Sequence, residues 1–129
     1  MSLTVTPIYA ALLVALFLYL TFRVIAYRRA NTLSLGDYGD KNLLKRMRAQ
    51  ANFIEVTPLA LILLLISELQ GAPALALHIL GLLLLAGRLL HALGFAATPQ
   101  KIFLRQLGML LNMVMLVFAA LGILAHALL

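Results

Sequence analysis

Arg48, Asn52 and Glu55 sit at spacings of four and three within Arg48-Ala49-Gln50-Ala51-Asn52-Phe53-Ile54-Glu55-Val56-Thr57-Pro58. On a helix, that spacing projects all three side chains from one face. The stretch opens an apolar segment that reads as membrane-spanning. A carboxylate there costs on the order of 2.5–3.5 kcal/mol even on a lenient insertion scale. Such a residue persists where it faces a protein interior or a water-filled site and finds a partner. Arg23, Arg88, His91 and Arg105, each on an apolar segment, are the candidate partners. Arginines offer a planar fork of donors matched to carboxylates, and Glu55 is suited to an ammonium group. The chemistry implied is the binding of an anionic, water-soluble small molecule beside an apolar partner dissolved in lipid.

The elements that must position these groups are read from composition first. The chain has 129 residues, and residues 1–129 are expected to form a single domain. Hydrophobic residues make up 64% and charged residues only 11%, with a mean hydropathy of +1.07. That is too apolar for a soluble surface, so an integral membrane protein is expected. The formal net charge of +6 would suggest nucleic acid in a soluble domain. Here the basic residues cluster at segment boundaries, where topogenesis and anionic headgroups explain them, and no nucleic-acid partner is expected. There is no cysteine, so any thiol chemistry must use a thiol brought by a substrate. His78, His91 and His126 are scattered, and no metal-ligand spacing is present.

Four helical spans follow in order, at about Pro7 to Tyr27, Leu43 or Lys45 to Leu69, Ala74 to Gly94 or Phe95, and Lys101 to Leu128. Pro7 suits a first helical turn, and Pro58 falls inside the second span, where a kink is expected. Asn31 to Lys45 is the long polar connection. It and Ala96 to Lys101 lie on the basic side, while Glu68 to Pro73 carries no basic residue. The positive-inside rule makes the basic loops cytoplasmic and puts both termini outside. On this topology Arg23, Arg48, Asn52, Glu55, Arg88, His91 and Arg105 all fall in the cytoplasmic half. Four separate segments placing polar groups at one depth is more specific than any single residue.

Plainer readings exist for each. Arg23, Arg48 and Arg105 near helix ends are able to snorkel to headgroups. Arg88 lies deeper, and a structural ion pair with Glu55 would account for it. Asn52 could satisfy backbone freed by Pro58. Gly81 and Gly87, with Ala76, Ala86 and Ala92, suggest close helix packing.

Arg48-x-x-x-Asn52-x-x-Glu55-x-x-Pro58 resembles the second-helix signature of the MAPEG family, the membrane-associated proteins of eicosanoid and glutathione metabolism. Arg88-x-x-His91-x-x-x-Phe95 is similar to the third-helix pattern, and Arg105 falls where the family keeps a fourth-helix arginine. Arg23 and Asn31 resemble the arginine and asparagine that follow the first helix. The likeness spans essentially the whole chain and is nearest to small bacterial members, which places the protein in an inner membrane.

The resemblance implies an all-α, integral membrane four-helix bundle that forms a homotrimer. It implies glutathione as co-substrate, held by Arg48, Asn52 and Glu55 with contributions from Arg23, Arg88 and His91. Arg105 would stabilise the thiolate, which would attack a lipophilic electrophile or reduce a hydroperoxide arriving from the membrane lipids. Three positions depart from the pattern. Phe95 stands where prostaglandin synthases of the family have a tyrosine, Gln106 where they carry a serine, and Met109 where a further tyrosine would follow. The alternative reading is a non-enzymatic membrane protein of the same fold that binds lipid or glutathione. A third is a structural bundle whose polar groups lock the helices together.

Overall fold

The computed structural model describes residues 2–129 as four helices, with no strand among them. They are α1 (Thr6–Ala30), α2 (Lys41–Leu69), α3 (Ala74–Ala96) and α4 (Ile102–Leu128). Each is long and apolar enough to cross a membrane. The fold is thus an all-α four-helix bundle. The spans expected from hydropathy are all present, although α1 runs on past Tyr27 to Ala30 and α2 starts ahead of Leu43. α2 continues unbroken through Pro58, whose missing N–H removes one ladder bond.

Local chemistry sets the helix ends. Asp40 caps α2, its carboxylate accepting from the backbone N–H of Asn42 at 2.9 Å and of Leu43 at 3.2 Å. The Tyr27 hydroxyl donates to the other oxygen of Asp40 at 2.7 Å, tying the end of α1 to the start of α2. Gly71, at φ +84, closes α2: its N–H donates to Glu68 O, and that of Ala72 donates to Ser67 O. This is a Schellman closure, which needs the left-handed residue that glycine supplies. Glu68 then reaches across to the opposite chain end. It accepts from the backbone N–H of Thr4 at 2.6 Å, Val5 at 2.8 Å and Thr6 at 2.6 Å. A carboxylate on those free N–H groups satisfies the start of α1 and complements its dipole.

α2 and α3 form the centre of the bundle. α1 packs on both from one side, α4 packs on both from the other, and the α3–α4 seam is the most extensive. Leu13, Leu16 and Leu20 of α1 meet Phe53, Ala60 and Leu64 of α2 and Leu77 and Leu84 of α3 in one apolar core. Large side chains such as Ile8, Phe22, Phe103 and Phe118 remain outside the bundle, as lipid-facing positions should. The small residues of α3 admit close neighbours. A Cβ on Gly81 would collide with the Tyr9 ring, and one on Gly87 with the Asn112 amide.

The Asp40 junction lies outside the spans and titrates. The Tyr27 hydroxyl, seconded by the backbone N–H groups, holds its carboxyl below the ordinary value. A lowered folded-state pKa gives stabilisation that is present above the unfolded carboxylate pKa and lost as pH falls through the folded value. Asp40→Ala should therefore lower the unfolding midpoint in detergent at about pH 7, with the gap to wild type closing below about pH 4. A gap of constant size down to about pH 3 would contradict this role.

Candidate functional site

At the end of the bundle holding the Asp40 junction, α2, α3 and α4 diverge around a cleft of about 480 Å³. Its polar wall comprises Lys41, Lys45, Arg48 and Asn52 from α2, His91 from α3, Gln100 from the loop, and Arg105 from α4. Leu44 and Phe95 supply apolar wall. The four cations lining it are matched by no carboxylate in the wall.

Each cation is held differently. Lys45 donates to Ala97 O at 3.2 Å and Thr98 Oγ1 at 3.4 Å, bridging α2 to the end of α3. Cations at a helix C-terminus complement its dipole. Arg48 lies 3.7 Å from Glu55, an ion pair with both side chains about half exposed, at 51% and 56%. In water such a pair contributes little. The Arg105 guanidinium lies 3.8 Å above the Phe95 ring and donates from Nη1 to Gln100 Oε1 at 2.6 Å. Its Nε is buried and finds no acceptor among the described residues. An orphaned donor in a cleft wall fits an anionic ligand, because leaving it unmade is costly. His91 is buried, its ring 4.9 Å from that of Phe95.

Behind the cleft lies a buried cation. Arg88 is 2% exposed. Its Nε donates to Asn112 Oδ1 at 2.6 Å and its Nη1 to Asn52 Oδ1 at 2.7 Å, while Nη2 lies 3.8 Å from Met109 Sδ. Asn112, fully buried, spends its own amide N–H groups on Leu83 O at 3.3 Å and Leu84 O at 3.1 Å. The structural alternative of an Arg88–Glu55 pair is therefore replaced by two neutral amides. Glu55 points instead to the exposed flank of α2. Asn52 answers Arg88 rather than backbone freed by Pro58.

Of the residues singled out by sequence, Arg48, Asn52, His91 and Arg105 line one cleft. Arg88 supports it from behind. Arg23 is half-buried on α1 and Glu55 is exposed on α2, and neither lines this cleft within a single chain. Sequence reasoning passed over Lys41, Lys45 and Gln100 as wall residues. Their signal was position, since each flanks a span on the basic side. Asn112 of α4 is a further residue of the site that was not singled out by sequence. Its spacing of seven from Arg105 put it on the same stripe, two turns deeper.

The likeness drawn from Arg48, Asn52 and Glu55 has independent support. The model of the MAPEG family matches residues 6–125, nearly the whole chain. The chain belongs to the MAPEG family. A similar protein is the inner membrane protein YecN of Escherichia coli strain K12, 37% identical over 91 residues, which are 70% of either chain. YecN of Escherichia coli O6:H1 matches to the same extent. Within this MAPEG bundle the site depends on a tight α3–α4 seam. A Cβ on Gly108 would lie 2.5 Å from Gly87 O and 2.6 Å from His91 N, with only backbone to yield. One on Gly94 would lie 2.6 Å from Arg105 Cγ.

Gly108→Ala should therefore destabilise the bundle by about 1–3 kcal/mol, the usual cost of overpacking. Thermal unfolding in detergent reads this as a lowered midpoint. An unchanged midpoint would mean that α3 and α4 can part to admit the methyl group without cost.

Proposed function

We propose that the protein is a glutathione-dependent transferase or peroxidase of the bacterial inner membrane, taking a lipophilic electrophile or hydroperoxide from the bilayer. The observation that carries the reading is the cleft of four cations without a carboxylate, bordered by apolar helix faces. Glutathione carries two carboxylates and one ammonium, and its thiolate adds a further negative charge. Lys41, Lys45 and Arg48 would receive carboxylates, and Arg105, with its Nε buried and its guanidinium stacked on Phe95, would lie beside the sulfur. A nearby cation favours the thiolate over the thiol. The thiol proton leaves to water. The sulfur lone pair then attacks the acceptor carbon, forming the S–C bond as the leaving group departs with its electron pair. With a hydroperoxide, the thiolate attacks oxygen and the O–O bond breaks. The alkoxide takes a proton to become an alcohol, and a second glutathione reduces the sulfenic acid to disulfide and water.

The relatives named as inner membrane proteins support the location, and the basic loops support termini outside the cytoplasm. The Arg48–Glu55 pair supports assembly as the homotrimer that the family resemblance implies. Half-exposed charges on the flank of a span are unfavourable against lipid, and a second copy would cover them. It would also bring Glu55, and Arg23 of a neighbour, towards the ligand.

A binding protein without turnover is the second reading. It is favoured by Phe95, which gives Arg105 a ring to stack on but no hydroxyl to aid the thiolate. The absorbance of bound glutathione thiolate against pH separates the two. Arg105→Ala should raise the bound thiol pKa by about one unit or more, about 1.4 kcal/mol, and slow turnover of a generic electrophile. Arg105→Lys should recover part of both. Identical titrations in wild type and Arg105→Ala would favour the binding protein.

A further inference from the structure

Asn52 is an amide, and an amide presents either an acceptor or a donor depending on which way it is turned. Its orientation here is dictated from a distance. An arginine has only donors, so any amide facing it must show oxygen. Asn112 is fixed first: its N–H groups are taken by the carbonyls of Leu83 and Leu84, which accept only. That leaves Asn112 Oδ1 for Arg88 Nε, at 2.6 Å. Arg88 Nη1 then claims Asn52 Oδ1 at 2.7 Å. The remaining group of Asn52 is its NH2. Asn52 lines the cleft, and its Nδ2 has no partner among the described residues. Gln100 is turned in the same sense, since its Oε1 is taken by Arg105.

We infer that Asn112 and Arg88 are positioning residues that fix Asn52 as a hydrogen-bond donor, making the cleft selective for ligands that present acceptor oxygens. The order runs from the α3 backbone to Asn112, to Arg88, to Asn52, and at each step the donor and acceptor choice is forced. Lys41, Lys45, Arg48 and Arg105 offer only donors, so apart from His91 the polar wall opposes ligand groups that must donate. A carboxylate is the group such a wall accepts. This rests on the glutathione reading only for the choice of ligand, and the orientation is testable without one.

The test uses the full chain in detergent micelles, labelled with 15N-asparagine, with the amide resonances of Asn52 and Asn112 assigned by their loss in Asn52→Asp and Asn112→Asp. Without ligand, the Asn112 NH2 pair should be protected from exchange with water and the Asn52 pair should exchange. A protected Asn52 pair would overturn the orientation. On adding glutathione, the Asn52 pair should shift. Asn52→Asp keeps an acceptor for Arg88 but turns a carboxylate oxygen into the cleft. It should unfold no earlier than wild type yet bind glutathione about tenfold or more weakly, as loss of a hydrogen bond to a charged group implies. Binding equal to wild type would overturn the inference. Asn112→Leu removes the acceptor on Arg88 Nε without touching the cleft wall, and should weaken glutathione binding while splitting or broadening the Asn52 pair. A folded Asn112→Leu with wild-type affinity and an unchanged Asn52 signal would overturn the relay; if it does not fold, Asn52→Asp decides. An exchanging Asn52 pair that glutathione leaves unmoved, with no glutathione bound, would sink the glutathione reading and uphold the orientation.

Discussion

A guanidinium enclosed within a membrane-spanning bundle must have its donors satisfied, and Arg88 achieves this with two asparagine oxygens rather than a carboxylate. Removing either acceptor leaves a charged donor buried without a partner, which costs more than the roughly 1–3 kcal/mol of a neutral group. The three central contributors follow from that requirement. Asn52 comes from α2, Arg88 from α3 and Asn112 from α4, so one side chain ties together the three helices that wall the cleft. Because neutral acceptors leave the positive charge uncancelled, the field of Arg88 adds to that of the cations in front of it.

Small residues make this possible. Gly87 leaves room for the Asn112 amide, and Gly108 lets the backbones of α3 and α4 come close. Without a hydrophobic drive between helices in lipid, such close packing and the few interhelical hydrogen bonds are what hold a bundle. At the far end, Glu68 does comparable work on the α1 N–H groups, so α1 is tied at both ends, by Glu68 and by the Tyr27–Asp40 contact. The cation-lined cleft and the anchored far end thus lie at opposite ends of the bundle.

The number of the spans and the starts of three were legible because hydropathy and proline carry them: Pro7 starts α1, and Pro73 and Pro99 stand in the turns before α3 and α4. The start of α2 was set too late, although Asp40 ahead of Lys41 and Asn42 is an ordinary capping signal. Grouping of Arg48, Asn52, His91 and Arg105 at one depth was legible from topology alone. Their partners were not. A helix apolar on all sides does not reveal its rotation, so nothing in the sequence chose between Glu55 and Asn52 for Arg88. Asn112 was hidden for the same reason, since its role is defined by helices remote in sequence. The role of Glu68 was not legible, because its carboxylate oxygens are matched by backbone N–H groups, which have no sequence signature.

The proposed function rests on glutathione binding in the cation-lined cleft. Equilibrium dialysis of radiolabelled glutathione against the detergent-purified protein tests it most directly. The account predicts saturable binding at millimolar or lower glutathione, weakened by added salt because the cleft is open to solvent, and weakened further in Arg48→Ala. Absence of saturable binding, or binding indifferent to both salt and Arg48→Ala, would contradict it.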